Sequence, residues 1–130
     1  MKIIILDDSK TIRMFIESFL EELGVQEDEI FSFECGHDAL KMIEKNGADI
    51  VFSDINMPKM SGYEFASQLF ALRPDLKNYF FAISGDETRI SYLKMKKNGV
   101  RRFLKKPIKT EYFNHFVSPV IFKHRAMENS

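Results

Sequence analysis

The sequence predicts a doubly wound α/β domain in which helices cover both faces of a five-stranded parallel sheet. Two observations carry this prediction. Short apolar runs alternate five times with segments whose apolar residues recur at spacings of three and four, which is the helical period. The strand runs are also almost continuously apolar, as expected for parallel strands buried on both faces. Spacing does not determine strand order, so we take the flavodoxin-like order 2-1-3-4-5, which is common at this size.

Each predicted strand ends at a turn or at a helix-capping residue. The strands cover residues 2–6, 30–33, 49–53, 79–84 and 100–105. The first helix, residues 10–23, begins after Ser9, a favourable N-cap, and Gly24 is a typical stop. The other four helices are predicted after Gly36, at 63–72, at 87–98 and from about residue 108 onward.

The last predicted helix contains a proline within its apolar pattern. Apolar residues at helical spacing lie on both sides of Pro119. Proline removes a backbone hydrogen bond and clashes with the preceding turn, at a cost of about 3 kcal/mol in an unadapted helix. We therefore expect this helix to be interrupted near Pro119 by a kink or a split. A split is slightly favoured, because Ser118 precedes the proline and is disfavoured from helical geometry.

Length and composition fit one globular domain. The chain has 130 residues, of which 45% are hydrophobic and 29% are charged. We expect a single domain over residues 1–130, with a core over about 1–117 and a C-terminal helical extension over 118–130. The one cysteine, Cys35, excludes an internal disulfide and fits a reducing compartment. We expect Cys35 to be a small core residue away from the carboxyl ends of the strands.

The charge balance gives no sign of a nucleic-acid or membrane partner. Nineteen basic and nineteen acidic residues give a formal net charge of zero. A small basic cluster at residues 101–106 is not accompanied by a recognition-helix module. The apolar run at the start is too short for a signal peptide or a membrane span. We therefore expect a cytoplasmic protein.

Five chemically matched polar residues lie where predicted strands end. In chain order they are Asp7, Asp8, Asp54, Ser84 and Lys106. Because parallel strands direct their carboxyl ends to one edge of the sheet, where ligands bind, these side chains should converge. Each residue alone is commonly a turn or surface residue, whereas five such residues at one edge indicate a functional site.

The chemistry of this set predicts metal-assisted phosphoryl transfer. Three carboxylates close together repel one another and favour a hard divalent cation, Mg²⁺ or Mn²⁺. A carboxylate such as Asp54 can attack phosphorus and form an aspartyl phosphate. The metal and Lys106 would neutralise phosphoryl oxygens, and Ser84 would donate a hydrogen bond to one of them.

With these residues in place, the chain resembles the receiver domain of two-component response regulators, especially the stand-alone chemotaxis type. The resemblance covers about residues 1–116. Its motifs are Asp7-Asp8-Ser9, Asp54-x-Asn56-Met57-Pro58 with Gly62, Gly36-His37-Asp38-Ala39-Leu40 at the start of the second helix, Ser84-Gly85 and Lys106-Pro107. Any single motif is weak, but the combination is highly specific.

The resemblance implies a role for each acidic residue. Asp54 would be the phosphoacceptor, charged from the phosphohistidine of a histidine kinase or a histidine phosphotransfer protein. Asp8 would bind Mg²⁺ directly, and Asp7 would act mainly through water. The backbone carbonyl of Asn56 would complete the metal site. Such a protein is a signalling switch that catalyses only its own phosphorylation and dephosphorylation.

The resemblance also implies which residues transmit and time the signal. Ser84 and Lys106 occupy the family's phosphoryl-binding positions. Phe103 lies at the position of the switch aromatic, although it is also a natural core residue of the fifth strand. Asn56 and Asp86 lie where the family tunes the lifetime of the phosphoryl group, although Asp86 also suits a helix start.

The family's usual output face consists of the fourth helix, fifth strand and fifth helix. This sequence adds apolar and aromatic residues near that face: Tyr92, Met95, Tyr112, Phe116 and Phe122. They fit a downstream protein target or a homodimer, and ordinary packing explains them equally well. Only about fourteen residues follow Phe116, which leaves no room for an output domain within this sequence.

Two other functions compete with the switch. A metal-dependent phosphatase could use an aspartyl phosphate on a similar sheet, but its usual second aspartate is replaced here by Asn56, which cannot transfer a proton. A degenerate receiver could serve only as a binding module. The complete acidic set together with Ser84 and Lys106 argues against that alternative.

Overall fold

The predicted alternation of strands and helices is present in the structure, a computed structural model that describes residues 1–85 and 89–129. The strands are β1 (Ile3–Leu6), β2 (Ile30–Phe33), β3 (Ile50–Asp54), β4 (Phe80–Ser84) and β5 (Arg102–Lys105). The helices are α1 (Lys10–Glu22), α2 (Gly36–Asn46), α3 (Gly62–Leu72), α4 (Arg89–Lys97) and α5 (Thr110–Glu128). Short 3₁₀ turns, Glu27–Glu29 and Pro74–Tyr79, precede β2 and β4.

The strands form one parallel sheet in the order β2-β1-β3-β4-β5, which confirms the predicted topology. The central strand β3 pairs with β1 and β4, so its carboxyl end lies in the middle of the sheet edge. The chain crosses from β2 back past β1 to reach β3. In such sheets the crevice beside this reversal is where ligands bind.

Alternate strand residues face two separate apolar layers. On one face, Ile4, Val51 and Phe80 pack with residues of α2, α3 and α4. On the other face, Ile5 and Phe52 pack with residues of α1 and α5. Both layers bury the side chains of β1, β3 and β4 almost completely, which explains why these three strands are nearly continuously apolar. The edge strands β2 and β5 are less buried and include the exposed residues Ser32 and Lys105.

The final helix is continuous, so the predicted split at Pro119 was wrong. α5 runs from Thr110 to Glu128 with the proline inside it. Pro119 is exposed, whereas Val117, Val120 and Ile121 are buried against the sheet. Burying each of these side chains contributes about 1.5–3 kcal/mol. That burial offsets the hydrogen bond which the proline removes.

The C-terminal half of α5 is held to the amino-end edge of the sheet by ion pairs. Arg125 donates from Nη1 and Nη2 to the two carboxylate oxygens of Glu29, each at 2.6 Å. The amino group of Met1 lies 3.3 Å from Glu29 and 2.9 Å from Glu128. These contacts join the first residue, the turn before β2 and the end of α5 at one edge of the sheet.

Within residues 1–85 and 89–129, no helix is both long enough and apolar enough to cross a membrane.

Candidate functional site

The three predicted carboxylates meet at the carboxyl edge of the sheet. Asp7 follows β1 and Asp54 ends β3, one residue later than predicted. Because Leu6 pairs with Ser53, the next residues of the two strands are neighbours. Asp7, Asp8 and Asp54 each place an oxygen within 4.8 Å of the others. Asp7 and Asp54 are buried, whereas Asp8 is exposed to solvent.

Lys106 lies beside the two buried carboxylates. Its Nζ is 3.5 Å from Oδ2 of Asp7 and 3.5 Å from Oδ2 of Asp54. The backbone N–H of Lys106 donates to the Ser84 carbonyl at 2.6 Å, which ties the end of β5 to the end of β4. One ammonium therefore faces two buried carboxylates at distances too long for strong hydrogen bonds.

Burial and mutual repulsion make this cluster unfavourable to ionise. Burial, reinforced by the Asp7 carboxylate, raises the pKa of Asp54 to about 6, against the opposing charge of Lys106. Burial also raises the pKa of Asp7, which the Ser9 N–H and Lys106 oppose. The site is therefore short of positive charge at neutral pH.

The first turn of α1 fixes the position of Asp7. The Ser9 N–H donates to Oδ1 of Asp7 at 2.8 Å, and Ser9 Oγ accepts from the Ile12 N–H at 3.3 Å, as predicted for an N-cap. Arg13 reaches back and donates to the Asp7 carbonyl at 2.6 Å. Asp7 is thus held by backbone geometry and has little freedom to move away from Asp54.

A glycine allows the loop after β3 to fold tightly beneath Asp54. The Gly62 N–H donates to the Ile55 carbonyl at 2.7 Å. A Cβ atom at Gly62 would clash with the Asp54 carbonyl oxygen and with Ile55. The Asn56 N–H approaches Oδ1 of Asp54 at 3.4 Å, so this loop stays close to the carboxylate. Gly62 is therefore required by close backbone approach.

The residues present fit a hard divalent cation. Oδ2 of Asp7 is buried and accepts no hydrogen bond from any described residue. The potential ligands are all oxygens, the donor type that Mg²⁺ and Mn²⁺ prefer. A cation at this point would bind this oxygen, whose ion pair with Lys106 is long at 3.5 Å. It would also offset the burial and the repulsion by Asp7 that raise the pKa of Asp54.

Two further predicted residues lie around this cluster. Ser84 ends β4 and is half-buried. Phe103, in β5, packs against Tyr92 of α4 with ring centroids 4.6 Å apart. Phe103 is half-buried against the α2–α4 layer, and its partner on β4, Ala82, lies two residues before Ser84. Asp86, predicted to tune the phosphoryl lifetime, lies outside the described residues.

The expected position of Cys35 was wrong. β2 ends at Phe33, so Cys35 is the second residue after its carboxyl end and lies at the same edge as the acidic cluster. It is half-buried and lines a cavity of about 250 Å³ that Asp8 and Met60 also line. The end of the second predicted strand was the signal that would have placed it there.

A protein-family match shows which family the chain belongs to. Residues 3–117 match the family described as response regulator receiver domain. The chain belongs to this family. Receiver domains act in two-component signalling as phosphorylation-dependent switches, so the family favours the switch over the phosphatase interpretation.

Relatives with this domain include short and long proteins. A chemotaxis protein CheY homolog of Campylobacter jejuni is 25% identical over 122 residues, which are 93% of this chain and 92% of that protein. The transcriptional regulatory protein FlgR of Helicobacter pylori is 37% identical over 112 residues, 85% of this chain but only 27% of FlgR. The chain likewise spans 39% of the transcriptional regulatory protein DegU of Brevibacillus brevis, at 29% identity.

A solved structure supports the same fold. The chemotaxis protein CheY4 of Vibrio cholerae superimposes with a TM-score of 0.78 at 26% identity, over 92% of this chain and 97% of that chain. A receiver domain from Clostridium thermocellum gives a TM-score of 0.80 at 23% identity, over 97% of this chain and 98% of that chain, a likeness of fold alone.

Proposed function

We propose that the protein is a signalling switch in which Asp54 accepts a phosphoryl group from the phosphohistidine of a histidine kinase or a histidine phosphotransfer protein. One observation carries the proposal. The buried carboxylate of Asp54 lies 3.5 Å from the Lys106 ammonium and within 4.8 Å of oxygens of Asp7 and Asp8. This arrangement suits a nucleophile toward phosphorus flanked by groups that neutralise charge.

Asp7, Asp8, Asp54 and the backbone carbonyl of Asn56 would hold Mg²⁺ or Mn²⁺. The metal supplies positive charge that stabilises phosphoryl oxygens during transfer. Oδ2 of Asp7, which accepts no hydrogen bond from a described residue, and the raised pKa of Asp54 support this assignment. Asp8, exposed at the mouth, is accessible to solvent ligands of the ion.

In the transfer step, a carboxylate oxygen of Asp54 attacks phosphorus and forms a P–O bond. The P–N bond of the phosphohistidine breaks, and its electron pair remains on the ring nitrogen. Lys106 stabilises negative charge on a phosphoryl oxygen, and the Ser84 hydroxyl donates a hydrogen bond to another. In autodephosphorylation, water attacks phosphorus and the P–O bond to Asp54 breaks, which releases phosphate and restores the carboxylate.

The switch would run through Ser84 and Phe103 to the surface formed by α4, β5 and α5. Movement of Ser84 toward the phosphoryl group opens space beside β4, and the Phe103 ring turns inward. Because Phe103 packs against Tyr92, this rotation alters the α4 surface. Asn56 and Asp86 would set the phosphoryl lifetime by controlling the attacking water.

The proposed partners are proteins in the cytoplasm, without nucleic acid or membrane. A downstream target would bind the α4–β5–α5 surface, and a second copy of the chain is the alternative occupant. Light scattering with and without beryllofluoride, a phosphoryl mimic, tests the homodimer. We propose one receiver domain over residues 1–130, with a core over about 1–117 and a helical extension over 118–130.

Intact-mass measurement after incubation with acetyl phosphate tests the central step. We expect the wild-type protein to gain one phosphoryl group in Mg²⁺ and none in EDTA. Asp54→Asn should gain none, because the amide is not a nucleophile toward phosphorus. Asp38→Asn is the matched control, since Asp38 is exposed in the first turn of α2 and should not affect the gain. Phosphorylation of Asp54→Asn would refute the assignment.

A further inference from the structure

Arg13 is a basic residue of α1 that reaches back to the acidic end of the sheet. It is the fourth residue of the helix and is half-buried. Its Nη1 donates to the Asp7 carbonyl at 2.6 Å. Helical side chains lean toward the amino end of their helix, which brings the guanidinium to the residue that follows β1. A charged group therefore binds a backbone oxygen at the acidic cluster.

The Asp7 carbonyl lies where the hydrogen-bond ladder between β1 and β2 ends. The Asp7 N–H donates to the Phe33 carbonyl at 3.1 Å, which continues the ladder by one bond beyond Leu6. In the same parallel register, the Asp7 carbonyl would accept from the N–H of Cys35. Cys35, however, has already left the sheet and is the N-cap of α2. Arg13 supplies the donor at this position instead.

This hydrogen bond orients the peptide unit between Asp7 and Asp8. Because a peptide unit is planar, its carbonyl and the following N–H move together. Holding the Asp7 carbonyl therefore fixes the direction in which the chain continues from β1 to Asp8. The Asp7 side chain is held separately, since the Ser9 N–H donates to its Oδ1 at 2.8 Å. The two contacts together set the orientation of two neighbouring acidic residues.

The charge of Arg13 and its geometry have opposite consequences for a bound metal ion. A guanidinium close to the acidic cluster repels a cation, so its charge alone weakens metal binding there. Its hydrogen bond, in contrast, keeps the acidic residues in place and strengthens binding. Removal of Arg13 therefore has a different sign for the two effects, and the sign of the measured change shows which one dominates.

From these contacts we infer that Arg13 is a positioning residue for the divalent cation of the acidic cluster. By holding the Asp7–Asp8 peptide, it keeps the oxygens of these two residues close to those of Asp54, within reach of one ion. Residues that orient metal ligands commonly contribute about 10- to 100-fold to metal affinity. The inference rests on the metal site of the proposed function and adds a residue that acts through Asp7.

Mn²⁺ binding to the full chain, followed by electron paramagnetic resonance of the free ion, tests the inference without a phosphoryl donor. Arg13→Met keeps an unbranched apolar stem and a good helix former but removes the hydrogen-bond donor. It should raise the Kd for Mn²⁺ about tenfold. Arg13→Lys keeps a donor on a long side chain and should recover part of this loss. Binding by Arg13→Met as tight as that of wild type, or tighter, would overturn the inference.

Lys10→Met is the matched control for charge. Lys10 is exposed at the first position of α1, so this variant removes one positive charge from the beginning of the same helix. The loss of a charge alone should leave the Kd for Mn²⁺ unchanged or lower it. Only Arg13→Met should raise the Kd. An equal rise in both variants would contradict a specific role of Arg13.

The Mg²⁺ dependence of phosphorylation separates positioning from a general structural role. With acetyl phosphate as donor, Arg13→Met should need about ten times more Mg²⁺ than wild type to reach half of its maximal rate. At saturating Mg²⁺ its rate should be within about twofold of wild type, because Asp54 and Lys106 are intact. Urea denaturation in EDTA measures the stability of the variant separately. If Arg13→Met were less stable but needed no more Mg²⁺ than wild type, the inference would fail.

Failure of the inference and failure of the proposed function give different results. If wild-type protein binds no Mn²⁺, the metal site and the inference fail together. If wild type and Arg13→Met bind Mn²⁺ equally, the inference alone fails. If Arg13→Met weakens Mn²⁺ binding as expected but acetyl phosphate adds no mass to wild type, the positioning role stands and the proposed switch fails.

Discussion

The two edges of the sheet both carry clusters of buried or half-buried charge, but the clusters are balanced very differently. At the amino edge, Arg125 pairs with both oxygens of Glu29 at 2.6 Å, and this contact lowers the pKa of Glu29 to about 2. At the carboxyl edge, Lys106 stands 3.5 Å from two carboxylates, and the pKa of Asp54 is raised to about 6. The first cluster pairs its charges closely, whereas the second has three carboxylates beside one ammonium.

The comparison indicates that the amino edge contributes to stability and the carboxyl edge to the proposed function. The amino-edge pairs close the end of α5 onto the start of β2, far from the proposed chemistry. The carboxyl-edge carboxylates are held together by the register of β1 and β3 and by the α1 cap, so their repulsion persists. A bound cation would relieve this repulsion. A phosphoryl-transfer site requires such an affinity for cations.

The largest expected effect is stabilisation by Mg²⁺. At a concentration about 100 times its Kd, the ion should raise the free energy of unfolding by about 2.7 kcal/mol. Urea denaturation in EDTA and in Mg²⁺ measures this gain. Glu29→Gln should show the same gain, because the amino edge has no part in binding. A gain that depended on Glu29 would contradict the division between the two edges.

Neutralising Glu29 should have a smaller and opposite effect. Glu29→Gln should lower the free energy of unfolding by about 1 kcal/mol, since partly exposed ion pairs contribute modestly. The matched control is Glu44→Gln, at an exposed position on α2, and it should change stability little. Equal destabilisation by the two variants in urea denaturation would show that the Arg125 contact stabilises nothing.

The smallest effect is the pH dependence of the Glu29 contribution. The pKa of Glu29 is lowered on folding from 4.5 to about 2, so its stabilisation is complete above about pH 4.5. It is then lost as pH falls toward 2, because protonation breaks the pair with Arg125. The stability difference between wild type and Glu29→Gln should therefore shrink across this window. A difference that stayed constant from pH 6 to pH 3 would contradict the lowered pKa.

Much of the carboxyl edge was predictable from the sequence, because strand ends converge in a parallel sheet. Asp7 and Asp54 follow or end an apolar run, Lys106 follows the fifth strand, and their convergence needs only the topology. The predicted position of Cys35 was wrong because the carboxyl end of β2 also lies at this edge, close to Asp8. The roles of Ser84 and Asn56 in phosphoryl transfer stay predictions, as does that of Asp86.

The amino edge was not predictable, because its contacts join residues remote in sequence. Glu29 and Arg125 are 96 positions apart, and no local sequence spacing links the two. The continuity of α5 was missed for a related reason. Local sequence rules predict that Pro119 interrupts its helix. The burial of Val117, Val120 and Ile121 against the sheet, which keeps the helix continuous, is a tertiary effect that such rules do not include.

The most direct test of the unbalanced carboxyl edge is the stability of Asp54→Asn relative to wild type, measured by urea denaturation in EDTA and again in saturating Mg²⁺. In EDTA the variant should be more stable by about 1–2 kcal/mol, because a repelled buried charge is removed. In Mg²⁺ the order should reverse, because the variant loses a ligand for the ion. A variant less stable than wild type in EDTA, or stabilised equally by Mg²⁺, would contradict the account.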